Sequence, residues 1–162
     1  MVNSKFTTRA SSVFTICVDQ GDQSGFSGRI FHCLSTAAIP FSGPQKIFIE
    51  MENVFDRIGY PQSSTKSRTF SANKQLGSPV KEVIANLMKE NDITSQRGDK
   101  GTFVVHIQYR QNATWQGKVT WAEKSHTLNF RSALELLKMI DSALDEDVVP
   151  NSELAADTEK RN

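Results

Sequence analysis

The chain has 162 residues, 38% hydrophobic and 23% charged, with a formal net charge of +1. That suits one domain of ordinary size and excludes a low-complexity coil, and no apolar run approaches the ~18–20 residues that span a bilayer. Two cysteines, Cys17 and Cys33, are too few for a disulfide scaffold and lack zinc spacing, and with no apolar stretch at the start a reducing cytoplasmic location is expected.

In chain order, Phe14, Ile16 and Val18 alternate with Thr15 and Cys17, the period of a strand. Asp22-Gln23-Ser24-Gly25 makes a turn, and Phe26, Gly28, Arg29 and Ile30 continue into a second strand. Pro44 opens a helix that buries Ile47, Phe48, Met51, Val54, Phe55 and Ile58 and stops at Gly59-Tyr60-Pro61. A polar connector follows, with a short strand expected at residues 67–70. Ser78-Pro79 then opens an extra helix over about 79–91, which presents Val80, Val83, Ile84, Leu87 and Met88 on one face.

After a loop at residues 95–101, Phe103, Val105, Ile107 and Tyr109 form a strand. Trp115, Gly117, Val119 and Trp121 form its hairpin partner across Gln111-Asn112-Ala113-Thr114. Phe130, Ala133, Leu134, Leu137, Ile140 and Leu144 have helical spacing, with Asn129 as the expected N-cap. From Asp141 to Asn162 seven acids face two bases, a net −5, which leaves +6 on the rest. Residues 149–162 contain no aromatic residue and are expected to be a disordered acidic tail.

Sliding the chain by 89 positions brings Phe14, Ile16 and Val18 onto Phe103, Val105 and Ile107, and Phe26, Gly28 and Ile30 onto Trp115, Gly117 and Val119. The fold expected is therefore α+β, two tandem ββα copies (about 12–60 and 101–146) paired about a pseudo-two-fold axis in one domain over 1–148. An antiparallel sheet would carry the helices on one face.

The other sheet face then offers Thr15, Cys17, Asp19, Arg29, Phe31 and Cys33 from the first copy, and Val104, His106, Gln108, Arg110, Gln116, Lys118 and Thr120 from the second. A polar face of this kind is where a small antiparallel domain can meet a ligand. Arg29, His106, Arg110, Lys118 and Arg131 are the candidate ligand-binding residues, since cations suit an anion. Replacing Arg110 and Lys118 by Ala is expected to weaken an anionic ligand with little change in melting temperature. Cys17 and His106 occupy equivalent positions, but no motif around either supports a nucleophile. The histidines and cysteines are too scattered for a metal. The glycines between Gly21 and Gly28 join two strands, without the helix start that a phosphate loop needs. Neither catalytic residues, metal nor cofactor is expected.

The segments Gln111-Asn112-Ala113-Thr114-Trp115-Gln116-Gly117 and Asn129-Phe130-Arg131-Ser132-Ala133-Leu134-Glu135-Leu136-Leu137 resemble short bacterial proteins of unknown function. That resemblance implies no activity or ligand. Paired strand-strand-helix copies are also loosely similar to the Pur and Whirly type of single-strand nucleic-acid binders, whose repeats have four strands each. The function expected is a small non-enzymatic binding or interaction protein for a protein partner or small anionic ligand. The alternative is single-stranded nucleic-acid or nucleotide binding through the mildly basic sheet face. No membrane association is expected, and an edge strand would allow a homodimer.

Overall fold

Alternating apolar residues create strands that must share a core, and here they form one sheet. The computed structural model describes residues 12–59, 61–64, 70 and 90–146. In chain order these make β1 (Val13–Asp22), β2 (Gly25–His32), β3 (Ser35–Ser42), α1 (Pro44–Ile58), α2 (Glu90–Thr94), β4 (Gly101–Tyr109), β5 (Gln116–Trp121), β6 (His126–Phe130) and α3 (Ala133–Glu146). The strands build a six-stranded sheet in the order β3-β2-β1-β4-β5-β6, antiparallel at every junction. The fold is α+β, a six-stranded antiparallel sheet with three helices.

Two strands are additions to the expected plan. β3 and β6 are the sheet edges, where one face and one hydrogen-bonding side meet water, so neither has a full apolar alternation to announce it. Pro40 sits in β3 opposite Arg29, a position open to proline because an edge strand has an unpaired side. β6 also takes Phe130, expected in the helix, so α3 starts later than Asn129 would place it. Ser132 caps it: the Glu135 N–H donates to the Ser132 hydroxyl at 3.0 Å, and the Glu135 carboxylate accepts the Arg131 N–H at 2.8 Å. α1 begins with Pro44 and ends at Gly59, which takes φ 70° and donates its N–H to the Phe55 carbonyl. Most of the expected strand at 67–70, most of the 79–91 helix and the acidic tail lie outside the described residues.

α1 and α3 cover one sheet face. Ile47, Met51, Val54 and Phe55 from α1, with Leu136, Ile140 and Ala143 from α3, pack on Phe14, Ile16, Ile30, Phe103, Val105 and Trp115. α2 corrects the expectation of helices on one face only: Ile93 lies on the opposite side with Val13, Cys17, Phe31 and Cys33. The Thr15 hydroxyl donates to the Ile93 carbonyl at 2.7 Å. Residues 13–18 are therefore buried on both faces, as a central strand requires.

The two hairpins carry the same irregularity. β1 shifts register against β2 between Val18 and Gln20, and β4 against β5 between Ile107 and Tyr109. Each bulge brings the strands close beside a glycine. A Cβ on Gly28 would lie 1.9 Å from the Cys17 carbonyl oxygen, and one on Gly117 would lie 2.0 Å from that of His106. Backbone cannot yield to that approach, so Gly28→Ala and Gly117→Ala should each destabilise the fold by about 2–3 kcal/mol, measured by denaturant unfolding. A loss under about 0.5 kcal/mol would contradict the close approach.

Candidate functional site

The bulge in β4 decides which candidates share a surface. Simple alternation puts Arg110 beside His106 and Gln108, but the extra residue at Ile107/Tyr109 re-aims the strand end. Tyr109 turns outward, 58% exposed, and Arg110 turns under α1, only 6% exposed. Its guanidinium donates to Glu52 Oε2 at 2.6 Å, Asp56 Oδ1 at 2.9 Å and the Pro61 carbonyl at 3.1 Å, and lies 5.2 Å from the Phe55 ring centroid. Trp115 donates its indole N–H to the other Glu52 oxygen. Arg110 thus belongs to the packing between α1 and the β4–β5 hairpin, not to the polar sheet face. Glu52 and Asp56, missed at the level of sequence, are one turn apart on α1; that i,i+4 spacing was the available signal.

Arg29 is on the face opposite α1 and α3, but it too is engaged. It forms a bidentate pair with Asp19 at 2.8 and 3.0 Å and donates to the Arg97 carbonyl at 2.9 Å. The Asp99 N–H also reaches Asp19, at 3.2 Å. The hydrogen bond from Arg29 comes first among the causes that hold the Asp19 carboxyl below its usual range. This cluster fastens the loop before β4 to β1 and β2.

His106, Lys118 and Asn129 form a row across β4, β5 and β6 through direct cross-strand registers. The next row contains Val104, Thr120 and Thr127, and the two threonine hydroxyls bond at 2.8 Å. Lys118, Thr127 and Asn129 are exposed, and His106 and Thr120 are partly so. Arg131, exposed as well, follows β6 at the start of α3. The candidates therefore separate: His106 and Lys118 are directly paired, Arg131 lies at the end of the neighbouring strand, and Arg29 and Arg110 serve other contacts.

Neither thiol is set up to attack. Burial pushes Cys17 and Cys33 up to about 11, so at neutral pH only about one in ten thousand is thiolate. Cys17 pairs with Thr102 across β1 and β4, whereas His106 pairs with Val13. Four residues of strand separate them, about 13 Å, too far for base and nucleophile. Among the described residues, no group of three or more His, Cys, Asp or Glu could hold a metal ion, and no helix is long and apolar enough to cross a membrane.

His32 is buried on the helix side next to Phe14, at 5.8 Å between ring centroids. Its Nδ1 accepts the Leu34 N–H at 3.1 Å. Burial, with a contribution from Arg57, lowers its pKa from 6.5 to about 4.

Comparison with known proteins yields no match: no family model, curated protein or solved structure is significantly similar to this chain.

Two expectations follow for stability. Arg110→Ala removes three charge-assisted or backbone hydrogen bonds and the packing on Phe55, but leaves behind carboxylates that water reaches, and should cost about 1.5–3 kcal/mol, whereas Lys118→Ala should stay within about 0.5 kcal/mol, both read from denaturant midpoints. This replaces the expectation that Arg110 and Lys118 are equally dispensable for folding. His32 folds as neutral imidazole, so its contribution is complete above pH 6.5 and is withdrawn as pH falls toward 4. The loss should reach about 3 kcal/mol at most, and His32→Gln should flatten that part of a stability–pH curve. An unchanged slope in the variant would assign the acid sensitivity to other groups.

Proposed function

We propose that the protein is a small non-enzymatic binding protein, built by duplication, whose contact surface is the polar half-face of β4, β5 and β6. The duplication is supported by the strand registers. A shift of 89 carries the pair Cys17–Arg29 onto His106–Lys118, Gly28–Phe41 onto Gly117–Phe130 and Ile30–Ile39 onto Val119–Leu128. It also carries the Val18/Gln20 bulge onto Ile107/Tyr109. In this reading each copy is strand-strand-strand-helix, and β1 and β4 meet at the pseudo-two-fold axis.

The observation that carries the functional reading is the divergence of the equivalent half-faces. In the first, Cys17, Phe31 and Cys33 are buried with Ile93. At the matching positions of the second stand His106, Thr120 and Ala122, all partly exposed, with Lys118 and Asn129 exposed beside them. A duplicated sheet that needed only a dry interior would treat both sides alike. The open side is cationic through Lys118 and Arg131 and rich in amide and hydroxyl groups, a surface suited to an anionic ligand or the polar rim of a protein partner. Single-strand nucleic-acid binding has less support, because Trp115, Trp121, Phe103 and Phe130 are buried, and Tyr109, 58% exposed and paired with Gln116, offers one ring where stacking of successive bases uses several. A homodimer joined through the β6 edge, which bears neither proline nor formal charge, belongs to the same proposal.

Native mass spectrometry of the freshly purified protein beside Lys118→Glu tests the placement. The expected result is an additional mass on the wild type that is lost from the variant at equal thermal stability. An additional mass retained by both, or a bare chain in both, would count against this face as the contact surface.

A further inference from the structure

The outermost strand of the second half, β6, ends the sheet with no described strand beyond it. Which of its backbone groups are free follows from one hydrogen bond and the registers. Ile107 donates its N–H to the Ser12 carbonyl at 3.0 Å, so Ile107 and Val105 turn their backbone groups toward β1 and His106 turns toward β5. Alternation then turns Gly117 and Val119 toward β6, Leu128 and Phe130 back toward β5, and Thr127 and Asn129 outward. The N–H groups that flank this stretch are taken: Ser125 donates to the Ala122 carbonyl and Arg131 to the Glu135 carboxylate. The free edge therefore consists of Thr127 and Asn129.

The opposite edge is closed at the equivalent place. Gly43 donates its N–H to the Phe26 carbonyl, and by the same alternation Gly28 turns toward β3 while Ala38 and Pro40 turn their backbone outward. A shift of 89 carries Ala38 onto Thr127 and Pro40 onto Asn129. Proline has no N–H and bars a further strand, whereas asparagine restores the donor. β6 also bears no formal charge, so it meets its own copy without repulsion. A two-fold axis at Leu128 sets Thr127 opposite Asn129 of the second copy and Asn129 opposite Thr127 of the second copy. Among antiparallel registers, this one pairs free residues only with free residues. Leu128, 45% exposed, then meets Leu128 of the second copy on the helix side, where it lines with Met139 a cavity of about 160 Å³ between α3 and the sheet. The two Lys118 side chains stand three strand spacings apart, about 14 Å, beyond the screening length of about 8 Å. We propose that β6 pairs in this register with β6 of a second copy and joins two six-stranded sheets into one. The inference rests on the reading above in counting β6 within the contact surface, and it names the partner and the register.

The test is sedimentation velocity of the full chain from about 10 μM to 1 mM, because so short an edge gives a small, weak interface with a Kd on the order of 100 μM. Asn129→Pro places in β6 the residue that β3 already holds at the matching position. It should raise the Kd at least about tenfold with a nearly unchanged denaturant midpoint. Leu128→Lys and Leu128→Glu test the register, and they serve equally should the proline variant fail to fold. Each alone sets like charges face to face and should be monomeric, and an equimolar mixture of the two should dimerise. Lys118→Glu should leave the Kd within about twofold, so a ligand lost from the sheet face and a dimer lost from the edge are read separately. A chain monomeric throughout, a dimer indifferent to Asn129→Pro, or a Lys/Glu mixture that stays monomeric would each overturn the assignment. So would a monomer carrying a peptide that Asn129→Pro releases, which would give the edge to a foreign strand.

Discussion

A single guanidinium fastens α1 to the far hairpin. Arg110 donates to two carboxylates on successive turns of α1 and to the Pro61 carbonyl just beyond it, and lies against Phe55. A cation taken this far from water is costly unless every donor direction is used, and here charge, backbone and ring share the work. Glu52 spends its second oxygen on Trp115, whose ring meets Phe48 and Phe55 edge-on at 5.4 and 5.8 Å. The polar network and the aromatic cluster therefore set each other's geometry. α1 follows β3 in sequence but is anchored on strands that come after residue 100.

That anchoring has no counterpart in the first half. The position that matches Arg110 is Gly21, and the one that matches Trp115 is Phe26, which packs on Phe41 instead. The first hairpin is held by the Arg29–Asp19 pair and the loop before β4. α3 leaves a pocket between itself and the sheet, and α2 packs on the first half of the opposite sheet face. Near-equivalent frames have thus been finished in different ways, and the differences put the polar surface and the cavity on the same half.

Much of the frame was legible because its causes are local. The alternation at residues 103–109, Pro44 before an apolar stripe and Gly59 after it, and the glycine-rich turn at 22–25 all act over a few residues, and each marked its element. β3 and β6 were missed because an edge strand has little apolar surface to bury: Thr127, Leu128 and Asn129 are all exposed. Asn129 looked like a cap only because β6 went unseen. Arg110 was misplaced because period-2 counting assumes an unbroken pleat, and a bulge inserts one residue without a composition signal beyond Gly117 on the facing strand. The side on which Ile93 packs depends on contacts almost eighty residues away, as its bond to Thr15 illustrates. That His106 and Lys118 share one face of the hairpin, by contrast, followed from the alternation, and the register then pairs them directly.

The junction of β1 with β4 also sets an order of events. β1, β2 and β3, like β4, β5 and β6, pair with neighbours in sequence and can zip through short turns, which cost little closure entropy. Joining Phe14 to Val105 and Val13 to His106 closes a loop of more than ninety residues before any contact rewards it. Such non-local strand pairing slows folding. The seam at the middle of the finished sheet, its most buried line, is thus the step on which the folding rate depends, and until it forms the inner edges of both meanders stay open to strands of other chains.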